Sequence, residues 1–285
     1  MLAAFAFVFS PALEIYAADK TAAWQPLLNG SDLHGWETWL DKPMNDVVVP
    51  GEKQNENGEY TQPLGLNRDP LKIFSMITQD GQPVLQVTGQ IMGTLATTVP
   101  YKNYHVRLQF KWGVKKWAPR LERPRDSGLC YHVHGSSAAD GGPFPHCEEL
   151  QIEEHDCGDL WALGARAAVH ARPKQGAQDA FYDPTQPSLV VGEQTPNEGR
   201  CIKGADYEHA NGEWNMIELI CFGEQSIHVV NGHVVCRLDH LQKREGQSWV
   251  PLTEGRIALQ SEGAELFYRA VEIRPIEEIP AEFEP

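Results

Sequence analysis

Ile227–Cys236 reads IHVVNGHVVC. Asn231 and Gly232 lie between two β-branched runs, and an Asn-Gly pair supplies the two positive φ angles that a two-residue hairpin turn requires. The stretch is therefore two antiparallel strands joined by a tight turn. Outward from it, segments of strand length with period-two alternation recur between turn residues: Val84–Ile91, Tyr104–Trp112, Leu129–His134, Glu149–Glu154, Asn215–Phe222, Ser226–Asn231, His233–Leu238, Arg256–Gln260 and Leu266–Arg274. No long helical pattern interrupts them. Many strands and few helices over about 250 residues predict an all-β fold of two antiparallel sheets packed face to face. Two irregular stretches, Leu40–Asp69 and Arg172–Gly212, are rich in Pro, Gly, Asn and Asp. Loops this long inside a compact domain are usually functional or disordered, and their apolar pieces favour ordered loops packed over a sheet.

The chain has 285 residues, of which 41% are hydrophobic and 22% charged, the balance of a folded protein. Asp plus Glu is 39 against 24 Lys plus Arg, a net charge of -15. Such a surface has no electrostatic reason to bind nucleic-acid phosphates or an anionic membrane. After residue 18 no apolar run approaches the roughly 20 residues that span a bilayer, so no membrane insertion of the mature chain is expected. Residues 2–18, LAAFAFVFSPALEIYAA, read as the apolar and cleavage regions of a secretory signal, with cleavage near Ala17 or Ala18, although no Lys or Arg follows Met1. The expected organisation is a signal (1–18), one domain (24–277) and a short tail (278–285). Six cysteines permit disulfides in an exported chain, with Cys147 and Cys157 the preferred pair; no CxxC spacing suggests a zinc ribbon.

In a strand, residues two apart share a face. Tyr104, Val106, Leu108 and Phe110 alternate with Arg107, Gln109 and Lys111; Leu129, Tyr131 and Val133 with Cys130, His132 and His134; Leu150 and Ile152 with Glu149, Gln151 and Glu153. These three segments are expected to give one sheet an apolar core face and a polar face of Arg, Lys, His, Gln and Glu, walled by the long loops. The plain alternative is the solvated outer face of a sandwich. His132 and His134 form an HxH pair, which can place two imidazoles on a divalent metal, with hydrogen-bonded or catalytic roles as the alternatives. Asp156 and Asp159 suit either Ca²⁺ or plain turn chemistry. Trp161, beside the carboxylates, can stack on a sugar face, while Trp24, Trp36 and Trp214 are expected to anchor the core. No GxSxG, Walker or dinucleotide motif occurs.

These motifs match a known family in order. WQPLLNGSDLHGWETW (Trp24–Trp39) resembles the opening Leu-Phe-Asn-Gly-x-x-Leu-x-Gly-Trp of the 3-keto-disaccharide hydrolase domain family. RDSGLCYH (Arg125–His132) is similar to its Asn/Asp-Ser-Gly-Ile strand, and EELQIEEHDCGDLW to its Glu-x-Gln-x strand and following turn. GEWNMIEL, VNG and GRIALQSEGAELFYRAVEIRPI continue the family's order, while GLNRDPLKIF and FKWGVKKWAPR look like one branch of it. The resemblance covers nearly the whole mature chain. It implies a concanavalin A-like jelly-roll sandwich with long loops over the concave face, export to the periplasm or cell surface of a bacterium, and action on oxidised sugars. By matched position, Lys111, Asp126, His132, Glu149 and Gln151 occupy the family's polar motif positions. The chain departs from the pattern at His132 (Arg in many relatives), His155 (Gly expected) and Met92 (Trp in this branch).

The implied activity is cleavage of the glycosidic bond of a 3-keto-glycoside, by hydrolysis or by elimination and hydration. A C3 ketone acidifies the C2 hydrogen, so the route needs a base, an oxyanion partner and an acid for the leaving oxygen. Glu149 or His132 is the expected base, Lys111 or a metal held by His132 and His134 the oxyanion partner, and Glu153 or His170 the acid. Arg107, Gln109, Arg125, Asp126, His134, Gln151, Trp161 and His170 complete the expected sugar-binding set. Two other classes suit the same residues: a conventional two-carboxylate glycoside hydrolase and a non-catalytic, lectin-like carbohydrate-binding module.

Overall fold

The computed structural model describes residues 22–139 and 141–284. The apolar stretch 2–18, read as a signal, lies outside the described residues. Two sheets stack face to face. The back sheet runs, in spatial order, Phe74–Gln79, Gln82–Val87, Ala264–Pro275, Tyr104–Lys116, Asn215–Phe222, Gln225–Val230, His233–Glu245, Ala165–Pro173 and Ser188–Gly192. The front sheet runs Gly65–Leu66, Trp36–Leu40, Gly93–Thr97, Glu254–Ser261, Asp126–His134, His146–Glu153, Leu160–Leu163, Cys201–Ile202 and Ala180–Tyr182. These neighbours are antiparallel except the last pair. The fold is an all-β jelly-roll sandwich.

The alternation read from sequence produces this packing. Leu108 and Phe110 of the back sheet and Leu129, Leu150 and Leu259 of the front sheet lose all solvent contact in one core. Each such side chain contributes about 2 kcal/mol by burial alone. The founding hairpin forms as expected, with φ 49° at Asn231 and 80° at Gly232, and Val230 opposite His233.

The structure corrects the expected faces in two ways. The Tyr104–Lys116 strand lies in the back sheet, whereas Asp126–His134 and His146–Glu153 are neighbours in the front one. Their polar faces therefore look out from opposite sides of the sandwich. A bulge also interrupts the alternation at His132. Tyr131 faces Glu148 but His134 faces His146, so the strand spends three steps where its neighbour spends two. His132 absorbs the extra residue with φ 50°. Its ring turns inward against Tyr131 and Tyr104 (centroids 5.4 and 5.8 Å), and Val133 joins Cys130 on the outer side. The Arg172–Gly212 excursion contains three short strands, Ala180–Tyr182, Ser188–Gly192 and Cys201–Ile202, which extend the two sheets. Leu40–Asp69 is irregular apart from Gly65–Leu66.

Candidate active site

The front sheet's outer face is built from three rows that cross the strands in register. The first is Glu37, Ala96, Ala258, Cys130, Glu149 and Trp161. The second is Trp39, Thr94, Gln260, Gly128 and Gln151, and the third Glu262, Asp126 and Glu153. Small residues pave the middle, so the long polar side chains can lie down over them. Gly128 shows why. A Cβ there would stand 2.0 Å from Glu149 Oε1 and 2.8 Å from Gln260 Oε1. The missing side chain is the seat of both groups.

Arg120, on the loop after the Tyr104–Lys116 strand, reaches over the third row. Its guanidinium pairs with Asp126 and Glu262 and donates to Glu153 at 3.2 Å. Gln151 Nε2 donates to Asp126 (3.0 Å) and Glu153 (3.3 Å). Arg200 lies 4.0 Å from Glu153 but is held chiefly by Asp156 at 2.6 Å and Asp159 at 3.1 Å. Lys203 also approaches both aspartates, so they are spoken for by cations from the second excursion.

Glu37 at the end of the first row is paired with Arg256, but Glu149, Asp126, Glu153 and Glu262 cluster where Arg120 only partly neutralises them. Glu149 is 4% exposed. Burial drives its pKa well above the ordinary carboxyl range, with Cys130, Glu262 and Glu153 adding to the rise and a hydrogen bond from Gln260 opposing it. Burial pushes Glu262 up to about 7, with Arg120 opposing and Glu153 adding. Burial thus raises the proton affinity of Glu149, and Glu262 titrates at about 7, so two carboxyls with shifted proton affinities share the face, as general acid–base work needs. The Oε1 atoms of Gln151 and Gln260 are buried without a partner, leaving two acceptors at the floor for a ligand's hydroxyl groups. The indoles of Trp39 and Trp161 belong to the same face.

Of the expected site residues, Glu149, Glu153, Asp126, Gln151 and Trp161 come together here. The others do not. Lys111, Arg107 and Gln109 are on the far side of the sandwich. There Lys111 lies over Trp214 and Phe267 (4.8 and 5.8 Å), Arg107 pairs with Glu272 (2.7 Å) and stacks on Trp24, and Gln109 accepts from Arg269 (2.6 Å). Trp24 and Trp214 are accordingly half-buried stacking partners of surface cations, and Trp36 alone of the three is buried in the core. Arg125 is tied to Glu154 at 2.6 Å and to the Gly113 carbonyl. His170 is exposed on the back sheet, its Nδ1 2.7 Å from the Gln186 carbonyl. His132 is sealed in the core, where burial pulls its pKa down to about 3 and neither nitrogen has a partner. His134 packs towards His146, with its Nδ1 3.1 Å from the His132 carbonyl oxygen. The HxH pair therefore does not converge, because the bulge separates its members. Among the described residues no group of three or more His, Cys, Asp or Glu side chains is arranged to hold a metal.

All six cysteines are buried free thiols. Cys147 sits against Cys130 and Cys236 against Cys201, so the expected Cys147–Cys157 pairing is not formed. Sequence reading missed Arg120, Glu262, Gln260, Gly128 and Trp39 as site residues. Period two could have supplied Gln260 and Glu262, the outward partners of Ile257, Leu259 and Ser261; nothing local marks Arg120. The unexpected His155 has φ 72°, which explains why a glycine suits that turn.

Residues 23–274 match the model of a family described as a 3-keto-alpha-glucoside-1,2-lyase-like domain. No curated protein matches the chain. Similar solved structures include a protein of Parabacteroides distasonis ATCC 8503, provisionally described as a glycosyl hydrolase, at 18% identity and TM-score 0.48, covering 89% of this chain and 100% of that one. Another from the same organism, with the same description, has 17% identity and TM-score 0.46 over 89% and 94% of the two chains. A carbohydrate-binding module of Bacillus subtilis has 7% identity and TM-score 0.41 over 70% and 91%.

Proposed function

The chain belongs to the 3-keto-alpha-glucoside-1,2-lyase-like family, and from that premise we propose that it cleaves the glycosidic bond of 3-keto-glycosides on the front face. One observation carries this reading: Glu149, buried with a raised proton affinity, and Glu262, titrating at about 7, share a small-residue floor with Arg120. A ketone at C3 of the sugar makes the C2 hydrogen acidic. Glu262, as its carboxylate, takes that proton, and the electron pair enters the C3 carbonyl as an enolate. Arg120 offsets the developing oxyanion, while the unpartnered Oε1 atoms of Gln151 and Gln260 accept from the sugar's hydroxyl groups. Collapse of the enolate forms the C1–C2 double bond and breaks the C1–O bond, and Glu149 gives its proton to the departing oxygen. Water then adds across the enone, which returns the free 3-keto sugar. Trp161, paired across the strands with Glu149, presents an apolar face to the sugar ring.

The same carboxyls suit hydrolysis of unoxidised glycosides by two acids, and a substrate panel separates the readings. Incubation with a 3-keto-glucoside and its unoxidised parent should release aglycone from the keto sugar alone, and a parallel incubation with chelator reads whether a divalent metal takes part. Release from the parent at equal rate favours conventional hydrolysis, and binding of both without release favours a carbohydrate-binding role. We also propose export to the periplasm or cell surface, supported by the 2–18 stretch; an intact Met1 N-terminus on the mature protein would contradict it.

A further inference from the structure

A cleft of about 760 Å³ is lined by Asp41–Asp46, Glu59–Thr61, Gly89, Gln90, Met92 and Ala118, within the range of about 300–1,000 Å³ that small-molecule sites take. The irregular Leu40–Asp69 stretch forms one wall, and Gln90, Met92 and Ala118 the other. The link to the reacting groups is short. Gly263, next to Glu262, donates its N–H to the carbonyl of Gly89, a residue of the cleft lining, at 3.0 Å. Ala118 is two residues from Arg120, and Met92 accepts from the Asp41 N–H at 2.9 Å, continuing the sheet edge beyond the third row.

We propose that this cleft holds the leaving group, and that it accepts an uncharged polyol such as a second sugar while rejecting anionic aglycones; this rests on the cleavage reading above. Asp41, Asp46 and Glu59 offer acceptors for hydroxyl groups, and Lys42 a donor. None of Asp41, Lys42 and Asp46 makes an ion pair among the described residues, so their hydrogen-bonding capacity is free for a ligand. Gln90 adds a buried Oε1 without a partner. Three carboxylates against one lysine, on a chain of net charge -15, repel a phosphate or a uronate. Tyr60 and Met92 supply apolar surface for a ring face.

The test compares three substrates that share one 3-keto-glucosyl group: a methyl glycoside, a neutral disaccharide and a disaccharide phosphorylated on its second sugar. The parent protein should prefer the neutral disaccharide over the phosphorylated one by ~10-fold or more in kcat/KM. Thr61 is an exposed residue of the cleft wall. Thr61→Trp should narrow the cleft and cut kcat/KM for the neutral disaccharide ~10-fold relative to the methyl glycoside. Asp46→Lys should shrink the penalty on the phosphorylated substrate. Methyl glycoside turnover reports that each variant is folded. If the parent cleaves none of the three, the cleavage reading itself fails. If the parent cleaves them but Thr61→Trp changes all in proportion, or the phosphate carries no penalty, the leaving-group cleft is overturned.

Discussion

The two outer faces of the sandwich are written in nearly the same alphabet. On the back, Arg107, Gln109 and Lys111 alternate with core residues and meet Glu272, Arg269 and Trp214. On the front, Glu149, Gln151 and Glu153 alternate in the same way and meet Gln260, Glu262 and Arg120. What separates them is water. The Arg107–Glu272 pair keeps 37% and 27% of its side-chain exposure, and such pairs are worth at most about 1 kcal/mol. Glu149 is nearly sealed, so its proton affinity is set by the protein. An outer face becomes a site when small residues and overlying loops remove solvent from its polar row.

Gly128→Ala should break that contrast most completely. The new methyl occupies the space of the Glu149 carboxyl, and a misplacement of about 1 Å costs on the order of 100-fold in rate. Turnover of a 3-keto-glucoside should fall at least that far; unchanged turnover would show that Glu149 does not need its seat. A pH profile sharpens the same point. With Glu262 as base, kcat/KM should rise with pH through about 7, whereas a limb near the ordinary carboxyl value of 4.5 would assign the base elsewhere. The sign for stability follows too. A raised carboxyl pKa stabilises the fold fully below 4.5, and that contribution is lost as pH rises through about 7. Glu262→Gln should therefore flatten the stability loss across this window in denaturant titrations.

His132 gives a smaller, opposite effect. Its folded pKa is depressed from 6.5 to about 3, so the stability it contributes is present above pH 6.5 and is lost as pH falls towards 3. His132→Phe should spare about 2 kcal/mol of the loss between pH 6.5 and 5 while cleavage continues. Abolished cleavage in a folded variant would restore the imidazole to the chemistry.

Much of the fold was legible because alternation and turn chemistry are local. The Asn231-Gly232 hairpin and the strands around Leu108, Leu150 and Leu259 all stand where period two places them. The site was legible only in part. Glu149, Gln151, Glu153 and Asp126 lie on one continuous run of pairing, so their shared face follows from register. Lys111 was misplaced because alternation says which residues share a face but not which sheet a strand joins. His132 was misplaced because a bulge shifts every later side chain by one, and only its αL backbone conformation reveals it. Arg120 and Glu262 are 142 residues apart, and no local pattern brings them together.

The most direct test pits the two faces against each other on one substrate. Release of aglycone from a 3-keto-glucoside is measured for Glu149→Gln and for Lys111→Met, each checked for folding by its melting transition. The front-face variant should lose about 100- to 10,000-fold in kcat, the range of a missing general acid, and the back-face variant should stay within about twofold, because Lys111 is a half-buried cation on the opposite face. Full activity in Glu149→Gln, or collapse of turnover in a folded Lys111→Met, would contradict the assignment of the chemistry to the front sheet.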